Sequence, residues 1–585
     1  MYDVIIHGGE VIDGTGGPAF RADVAVRDGL IVAVEPSIDP AQATEAIDAT
    51  GCIVTPGFVD PHTHYDGQAT WDDVLEPSTP HGVTTVVTGN CGVGFAPVRP
   101  GREGWLIELM EGVEDIPGAA LHEGMTWGWE SFPEYVELLS KRQWAVDVAV
   151  QLPHGPLRAY VMGDRGAKNE KAEPRDIEEM SRLAQEAMQA GAFGFTTSRT
   201  LGHTSLDGTP VPGTFAADDE LFAIAQAVRD GGGRIFEIAM AGISPGDDPT
   251  VVSSELDWIG TMASETGLTA TFIVLQHSQD PKRWIIEMDA AREWRARGAR
   301  VVPLVAGRPF GVLLGWDVRH PFRLRPSYEA IDHLPRAERV AMLREPETRD
   351  RILSEQPVTD DPVQTFTQAA LIGLLPYCYV LAGDEPDYEQ PASQSLMGIA
   401  ERAGSSVEAV AYDAMVEGDG STMLLLPLFN YADANHDALY EQMQDSTAIL
   451  GLADGGAHCG AICDASMPTY VLTHWARDRT RGPRLTLEDA VRRLTSQPAD
   501  LYGLDDRGRV ATGLRADLNV IDFDNLSLHA PRAVTDLPAG GTRLLQDATG
   551  YHATLVNGEV TRRNDVDTGA RPGRLVRNQA SAAKQ

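Results

Sequence analysis

The chain has 585 residues, of which 43% are apolar, so it exceeds one ordinary domain and can bury a large core. Its 85 acidic and 48 basic residues give a formal net charge of −37, which argues against nucleic acid and anionic membranes as partners. No apolar run approaches about 18 residues and no signal-peptide pattern opens the sequence, so we expect a cytoplasmic protein.

The two ends of the chain have a similar β-rich character. Apolar runs at residues 2–6, 23–26 and 30–34 predict short strands, and Asp28-Gly29 between the last two runs is a hairpin signal. Short apolar runs with tight turns also occupy residues 516–522 and 553–560. This similarity predicts one small β-domain that both ends of the chain build together.

A stretch near residue 60 contains a pair of histidines. The apolar run Cys52-Ile53-Val54 leads into a Pro-Gly turn, and His62 and His64 follow. In an extended strand, residues i and i+2 point to the same side, so the two imidazoles can bind one metal ion. Asp60 has the same parity, and we expect it to hold an imidazole by a hydrogen bond. The alternative is a pair of solvated loop histidines.

The middle of the chain alternates apolar runs with helical patterns, as in repeated βα units. Predicted strands lie at residues 84–88, 146–150, 192–195, 234–238, 271–274 and 448–451, and a helix is predicted over residues 177–190. Residues 307–360 do not follow this pattern and are predicted to form an insertion. In barrels of βα units the chemistry lies at the carboxyl ends of the strands.

Candidate ligands follow three of these strands. Cys91 lies in Gly89-Asn90-Cys91-Gly92, His277 follows Gln276, and Asp454 precedes Gly455-Gly456. With the two histidines near residue 60 they form the donor set of a catalytic zinc site with an open position for water. Taken singly, each has an ordinary explanation: an inert buried thiol, a hydrogen-bonded imidazole, or a turn aspartate.

The motifs resemble those of a known family. The stretch from Pro56 to His64, P-G-F-V-D-P-H-T-H, resembles the first barrel strand of the amidohydrolase superfamily. G-N-C-G after the second strand is similar to the N-acyl-D-amino-acid deacylase (D-aminoacylase) branch, as are the segments at residues 111–117, 154–158, 191–194 and 211–213. The resemblance covers most of residues 1–520.

This resemblance implies an α/β fold, a (β/α)8 TIM barrel with a small β-sandwich from both chain ends. The barrel would span residues 58–508, the sandwich residues 1–57 and 509–570, and a disordered tail residues 571–585. It also implies that the Cys91 thiolate is a metal ligand where other amidohydrolases use a carbamylated lysine. The lysine count agrees, because none of the five lysines follows a predicted strand (Lys141, Lys168, Lys171, Lys282 and Lys584).

The sequence departs from the family pattern in three places. The strand before His277 lacks the expected histidine, and Glu237 is the side chain of that strand best suited to bind a metal. The family's S-H-x-K motif ends here in Gln279, so the lysine that grips the substrate carboxylate is absent. The arginine-bearing segment expected after Asp454 is replaced by residues 458–464, H-C-G-A-I-C-D.

We therefore expect a zinc-dependent hydrolase that cleaves the C–N bond of a linear, small-molecule amide, with Asp454 as metal ligand and general base. Cys91, His277 and Glu237 would hold one tight zinc ion, and His62 and His64 a second or weaker one. The sequence leaves open a homo-oligomer, a cyclic-amide (hydantoinase-type) hydrolase, and a non-catalytic metal-binding relative.

Overall fold

Both ends of the chain contribute to the same β-structure in the computed structural model, which describes residues 1–244 and 247–578. One four-stranded sheet has the order Leu30–Glu35, Asp23–Arg27, Tyr2–His7 and Ala43–Asp48. A seven-stranded sheet has the order Val566–Asp567, Glu559–Arg563, Tyr551–Val556, Leu518–Ile521, Ile53–Pro56, Glu10–Val11 and Phe20–Arg21. Buried aliphatic side chains from both sheets form one apolar cluster.

The hairpin predicted at Asp28-Gly29 is confirmed. Arg27 pairs with Leu30 across it, and Asp28 and Gly29 have φ values of 51° and 75°. Positive φ at both central positions is the requirement of the tight turn whose twist matches that of paired strands. The sequence met this requirement with Asp-Gly.

Parallel strands form the middle of the molecule. One sheet pairs Phe58–Asp60, Val83–Thr88 and Asp147–Val150. The other has the order Leu152–Pro153, Gly194–Ser198, Ile235–Ala239, Thr269–Val274, Arg300–Val305 and Ile449–Leu450. Asp147–Val150 of the first sheet is followed, after Gln151 alone, by Leu152–Pro153 of the second. At their other edges the two sheets are joined by a parallel bridge between Thr63 and Gly455. The six predicted strands of this region are confirmed within a few residues.

Helices connect these strands and cover them. They lie at Glu103–Glu114, Gly118–Gly124, Phe132–Ser140, His154–Met162, Asp164–Ala167, Pro174–Ala190, Asp218–Asp230, Val252–Thr266, Arg283–Ala296, Asp437–Gln444, Met467–Tyr470, Leu487–Leu494 and Ser496–Tyr502. The helix predicted over residues 177–190 is confirmed. It begins with a capping box between Glu173 and Asp176 and buries Met180, Ala184, Ala187 and Met188, which share one helical face.

A separate unit occupies the place of the predicted insertion. Its antiparallel sheet has the order Phe310–Leu314, Met423–Phe429 and Tyr379–Leu381. Its helices lie at Pro326–Asp332, Arg336–Leu343, Pro346–Ser354, Pro362–Leu374, Leu396–Ala403 and Val407–Val416. The unit has its own apolar cluster, in which Trp316 and Tyr328 stack at 5.3 Å. The unit extends well beyond the predicted bounds of 307–360, because its central strand, Met423–Phe429, is the last of the three in sequence.

The last part of the chain differs from the disordered tail expected from residue 571. Leu575–Val576 pairs in parallel with Asp147–Val150, so this segment is held at the edge of a parallel sheet. Before it, Ser527–Leu537 and Gly541–Thr549 form a two-stranded hairpin. Residues 579–585 lie outside the described part of the chain. Within the described part, no helix has both the length and the apolarity needed to cross a bilayer.

Candidate metal centre

The two histidines of the H-x-H motif face the same space, as their spacing predicts. Thr63 between them is turned the other way, since its N–H and its hydroxyl both donate to the carbonyl of Val87, at 3.0 and 2.7 Å. The rings of His62 and His64 are 5.2 Å apart, and both are buried. Asp60 acts differently from our expectation: its Oδ1 accepts from the backbone N–H of His62 at 3.2 Å, not from an imidazole.

Cys91 joins the histidines from the end of the second parallel strand. Its Sγ lies 3.4 Å from Nε2 of His62. The loop that carries it is tight: Cys91 has a φ of 55°, and Gly89 and Gly92 have φ values of 89° and 71°. A Cβ on Gly89 would lie 2.4 Å from the carbonyl oxygen of Gln151, so only glycine fits there. This explains why a glycine-flanked Asn-Cys delivers the thiol to the site.

Two carboxylates complete the ring around these donors. Oε1 of Glu237 is 3.5 Å from Nδ1 of His62, and Oδ1 of Asp454 is 3.4 Å from Nε2 of the same ring. Asp454 also approaches Nε2 of His64 at 3.8 Å, and it has a positive φ of 47°. Glu237 lies in the middle of the strand Ile235–Ala239, and Asp454 follows the strand Ile449–Leu450. Non-glycine residues with a positive φ, such as Asp454, occur often at functional sites.

Sequence reasoning did not identify two further side chains beside this group. Glu114, from the helix Glu103–Glu114, places Oε1 3.4 Å from Nδ1 of His64. Its other oxygen is 3.6 Å from Nε2 of His458, which has a positive φ of 50°. Glu114 lies inside a segment that resembled the family, but a helical glutamate carries no signal of its own. His458 is the first residue of the segment that departs from the family.

Burial controls the protonation of this centre. It lowers the pKa of His62 to about 3 and raises the pKa of Glu237 to about 8, with the charges of neighbouring carboxylates adding to the rise. Burial also raises the pKa of Cys91, Glu114 and Asp454 well above their usual ranges. Within the described residues, no Arg or Lys pairs with the carboxylates of Glu114, Glu237 or Asp454. The group therefore lacks positive charge.

This donor set fits a bound cation. Five of its buried atoms have no hydrogen-bond partner: Nδ1 of His62 and of His64, Oε1 of Glu114, Oε2 of Glu237 and Oδ1 of Asp454. Ligand atoms of His62, His64 and Cys91 all lie within 4.8 Å of one another. A buried acidic group without a partner is costly, and a metal ion removes that cost. A thiolate with imidazoles is the donor set that zinc prefers.

His277 is not brought into this group. Its Nε2 contacts the guanidinium of Arg283, the first residue of the following helix, and its ring packs on Phe429 at 5.0 Å. Its neighbour Gln276 donates to Asp433 at 2.8 Å. The structure brings Cys91 together with His62 and His64, whereas His277 lies beside Arg283. The role of His277 as a ligand stays a prediction.

Comparisons with a family model and with individual proteins point to the same family. The sequence model of the amidohydrolase family matches residues 45–353 and 428–562. N-acyl-D-glutamate deacylase of Alcaligenes xylosoxydans xylosoxydans is 28% identical over 585 residues, which cover 99% of this chain and 98% of that protein.

Two solved structures share the fold along almost the whole chain. A D-aminoacylase crystal structure superposes with a TM-score of 0.65 at 23% identity, covering 99% of this chain and all of that one. An N-acyl-D-glutamate deacylase from Bordetella bronchiseptica, solved with zinc and a phosphonate inhibitor, gives 0.64 at 24% identity, covering 98% of this chain and 99% of that one. The gap between the two matched segments, residues 354–427, belongs to the separate antiparallel unit.

Proposed function

This chain belongs to the amidohydrolase family, and on that premise we propose that it is a zinc-dependent enzyme that hydrolyses a linear amide, an N-acyl amino acid. The observation that carries the proposal is the buried centre of His62, His64 and Cys91, ringed by carboxylates that no described Arg or Lys neutralises. The relatives that match the chain along its whole length include an N-acyl-D-glutamate deacylase. We therefore place the substrate among N-acyl-D-amino acids.

In this proposal Cys91, His62 and His64 hold one tight zinc ion, and Glu237 lies close enough to serve as a further ligand. When bound, the ion would supply Lewis-acid polarisation of the amide carbonyl and acidify the attacking water. The residues around it supply a dry site: His62 and His64 are 1% and 2% exposed, so the charges act with little screening. The neutral imidazoles that burial favours are also the form that binds a metal.

Asp454 is the general base of the proposal. Its Oδ1 has no hydrogen-bond partner and points between the two imidazoles, at 3.4 and 3.8 Å. A carboxylate there accepts the proton of the attacking water and then returns it to the nitrogen of the leaving amine. Burial raises the pKa of this carboxyl well above its usual range in the metal-free site, and a bound cation would lower it, so that the ionised carboxylate can accept the proton.

A linear amide is favoured over the cyclic amide of a hydantoinase-type enzyme. Such an enzyme would be expected to carry a lysine at a strand end, and here Lys141, Lys168, Lys171 and Lys282 are all exposed. The fifth lysine, Lys584, lies outside the described residues. A non-catalytic metal-binding relative is disfavoured by Asp454, since a binding protein has no use for a base at that position.

We also propose that the parallel strands form a closed barrel and that the two chain ends form a small β-sandwich. With the strand interrupted at Gln151 counted once and the C-terminal strand Leu575–Val576 left out, the two parallel sheets contain eight strands, and the bridge between Thr63 and Gly455 supports their closure into a (β/α)8 barrel. The four- and seven-stranded sheets built from both chain ends support the small β-sandwich domain. His62, His64, Cys91 and Asp454 then lie in the loops that follow strands, where such barrels have their active sites, and Glu237 lies within the strand Ile235–Ala239.

The experiment is a substrate screen on zinc-loaded protein. The panel holds N-acetyl-D-amino acids with acidic and apolar side chains, their L-enantiomers, and a 5-substituted hydantoin. We expect acetate release from D-configured linear substrates, about one tight zinc per chain, and no release by a zinc-loaded Asp454→Asn variant. Turnover of the hydantoin alone would favour the cyclic-amide enzyme, and zinc binding without any turnover would favour the non-catalytic relative.

A further inference from the structure

A second cluster of ligand-bearing side chains lies apart from the candidate metal centre. Nε2 of His474 is 3.0 Å from Oε2 of Glu389 and 3.3 Å from Nδ1 of His436. The third side of this triangle, from Nδ1 of His436 to the same carboxylate oxygen, measures 3.8 Å. Glu389 and His436 are buried, and His474 is 14% exposed. None of the three appears among the contacts of His62, His64 or Cys91.

The three donors come from separate parts of the chain. Glu389 lies in a loop of the antiparallel unit, and His436 precedes the helix Asp437–Gln444. His474 lies in the π-helical segment Val471–Asp478. A π-helical turn is rare and frequently marks a functional site. The fold therefore brings together residues that no short motif connects.

Hydrogen bonding alone leaves this triangle incompletely satisfied. A neutral imidazole has one N–H, so the single proton that Nε2 of His474 can carry points either to Glu389 or to His436, not to both. With that proton directed to Glu389, Nε2 of His474 has no second proton for Nδ1 of His436, whose other polar neighbour is the hydroxyl of Tyr470 at 3.5 Å. A metal ion at the centre satisfies all three atoms at once, because tetrahedral zinc with bonds of about 2.0–2.1 Å separates its ligands by about 3.3 Å.

The protonation states suit metal binding. Burial lowers the pKa of His436 well below its usual range, so its imidazole is neutral at pH 7. Although burial alone would raise the pKa of Glu389, hydrogen bonds from His474 and Arg479 hold it below its usual range, so the carboxylate is ionised. Arg479 binds both oxygens of Glu389, at 3.0 and 2.9 Å, and fixes the carboxylate in place.

The cluster also has access and room. A cavity of about 330 Å³ is lined by Glu389 and His474 together with Tyr470 and Arg481. An ion can enter from this cavity, and a water molecule can occupy the fourth position of a tetrahedral site. The rings of His436 and His474 are 5.2 Å apart at 70°, which is the arrangement of His62 and His64.

We propose that Glu389 Oε2, His436 Nδ1 and His474 Nε2 form a second metal site, which takes a borderline divalent transition-metal ion such as Zn²⁺. Two imidazoles and one carboxylate select such an ion over Mg²⁺ or Ca²⁺, which prefer oxygen ligands. Because Arg479 already neutralises the carboxylate, the site binds more weakly than the centre around Cys91. The ion ties the antiparallel unit to the π-helical segment. This proposal does not depend on the proposed reaction.

Diffraction at the zinc edge tests the site directly. Crystals of the full-length wild-type protein soaked in ZnCl₂ should show anomalous density at two places, inside the triangle of Glu389, His436 and His474 and beside Cys91. Density beside Cys91 alone would overturn the proposal.

Cobalt titration of metal-free protein supplies the solution test. We expect His474→Gln to bind one Co²⁺ fewer per chain than wild type and to lose the corresponding visible absorption band. The matched control is His122→Gln, an exposed helical histidine, which should keep the full count. Equal cobalt counts and spectra in His474→Gln and wild type would show that the cluster is an ordinary hydrogen-bonded network. Should His474→Gln fail to fold, the wild-type diffraction experiment decides alone.

Discussion

The two histidine clusters have the same internal geometry and opposite electrostatic surroundings. In each, two imidazoles lie 5.2 Å apart at 70° with a carboxylate within 3.0–3.4 Å of a ring nitrogen. Around His62 and His64 the carboxylates have no cationic side chain among the described residues. In the second cluster Arg479 already pairs with Glu389. Because the carboxylates of the first cluster are not neutralised by a cationic side chain, we expect it to bind a metal ion more tightly than the second.

The charge difference also separates catalysis from binding. Asp454, near the first pair, has an oxygen without a hydrogen-bond partner, and burial raises its pKa well above the usual range. Glu389 has its oxygens engaged by Arg479, and its pKa is held below the usual range. We therefore expect proton transfer at the first cluster and ion binding alone at the second.

The largest effect should come from Asp454→Asn, which keeps the shape of the side chain but cannot accept the proton. Loss of a general base costs ~10²–10⁴-fold in rate, so kcat for the best acyl amino acid should fall by that factor. Steady-state kinetics on zinc-loaded protein measures it. The matched control is Asp437→Asn beside Arg479 in the second cluster, which should keep near-normal kcat. If the Asp454 variant keeps full kcat with zinc bound, another residue is the base.

A second large effect should follow from Cys91→Ser, because it removes the one thiolate at the site. Outer partners of a metal are each worth ~10–100-fold in affinity, so loss of a direct ligand should weaken zinc binding by more than ~100-fold. Competition with a chelating indicator measures the affinity. Cys378→Ser, a buried thiol of the antiparallel unit, should leave it unchanged. An unchanged affinity in the Cys91 variant would remove the thiol from the ligand set.

Glu237 allows a direct comparison with Glu389, because both are buried but, among the described residues, no arginine pairs with Glu237. Burial raises its pKa to about 8, so a bound cation is what would keep it ionised at pH 7. We expect Glu237→Gln to weaken zinc affinity by ~10–100-fold and Glu237→His to preserve it. A zinc-loaded structure with the carboxylate more than about 4 Å from the ion, well beyond a bond of about 2.0–2.2 Å, would contradict the assignment.

The sequence predicted the first cluster because its signals are local. His62 and His64 follow one strand, and Cys91 and Asp454 each stand beside the glycines that let the backbone bring them close. Glu114 went unnoticed because a glutamate on an amphipathic helix is ordinarily solvated. His277 was expected as a ligand because of its place after a strand, and no local pattern indicated that Arg283, six residues later, would contact its ring nitrogen.

The second cluster could not be predicted from the sequence for a related reason. Glu389, His436 and His474 are separated by dozens of residues and lie in a loop, just before a helix and in a π-helical segment, respectively. The extent of the antiparallel unit was missed on the same ground, since its central strand Met423–Phe429 returns after a long helical excursion. Non-local pairing is what a strand-by-strand analysis of the sequence cannot supply.

A third buried carboxylate, Glu220, serves as a reference for these clusters, because it pairs with Arg158 and belongs to neither of them. Burial alone would raise its pKa, but hydrogen bonds and charge from His154 and Arg158 lower it from 4.5 to about 2. Because the folded pKa is the lower one, the stabilisation is fully present above about pH 4.5 and is lost as the pH falls towards 2. A shift of this size corresponds to about 3 kcal/mol.

Glu220→Gln should therefore lower the free energy of unfolding at pH 7 and leave both zinc affinity and kcat unchanged. The difference from wild type should shrink steadily between pH 5 and pH 2, as urea unfolding at each pH would show. A variant equally destabilised at all pH values would mean that Gln fails to pack there. A variant with weakened zinc binding would show instead that charge at Glu220 reaches the metal centre, which would break the separation between cation-paired and metal-binding carboxylates.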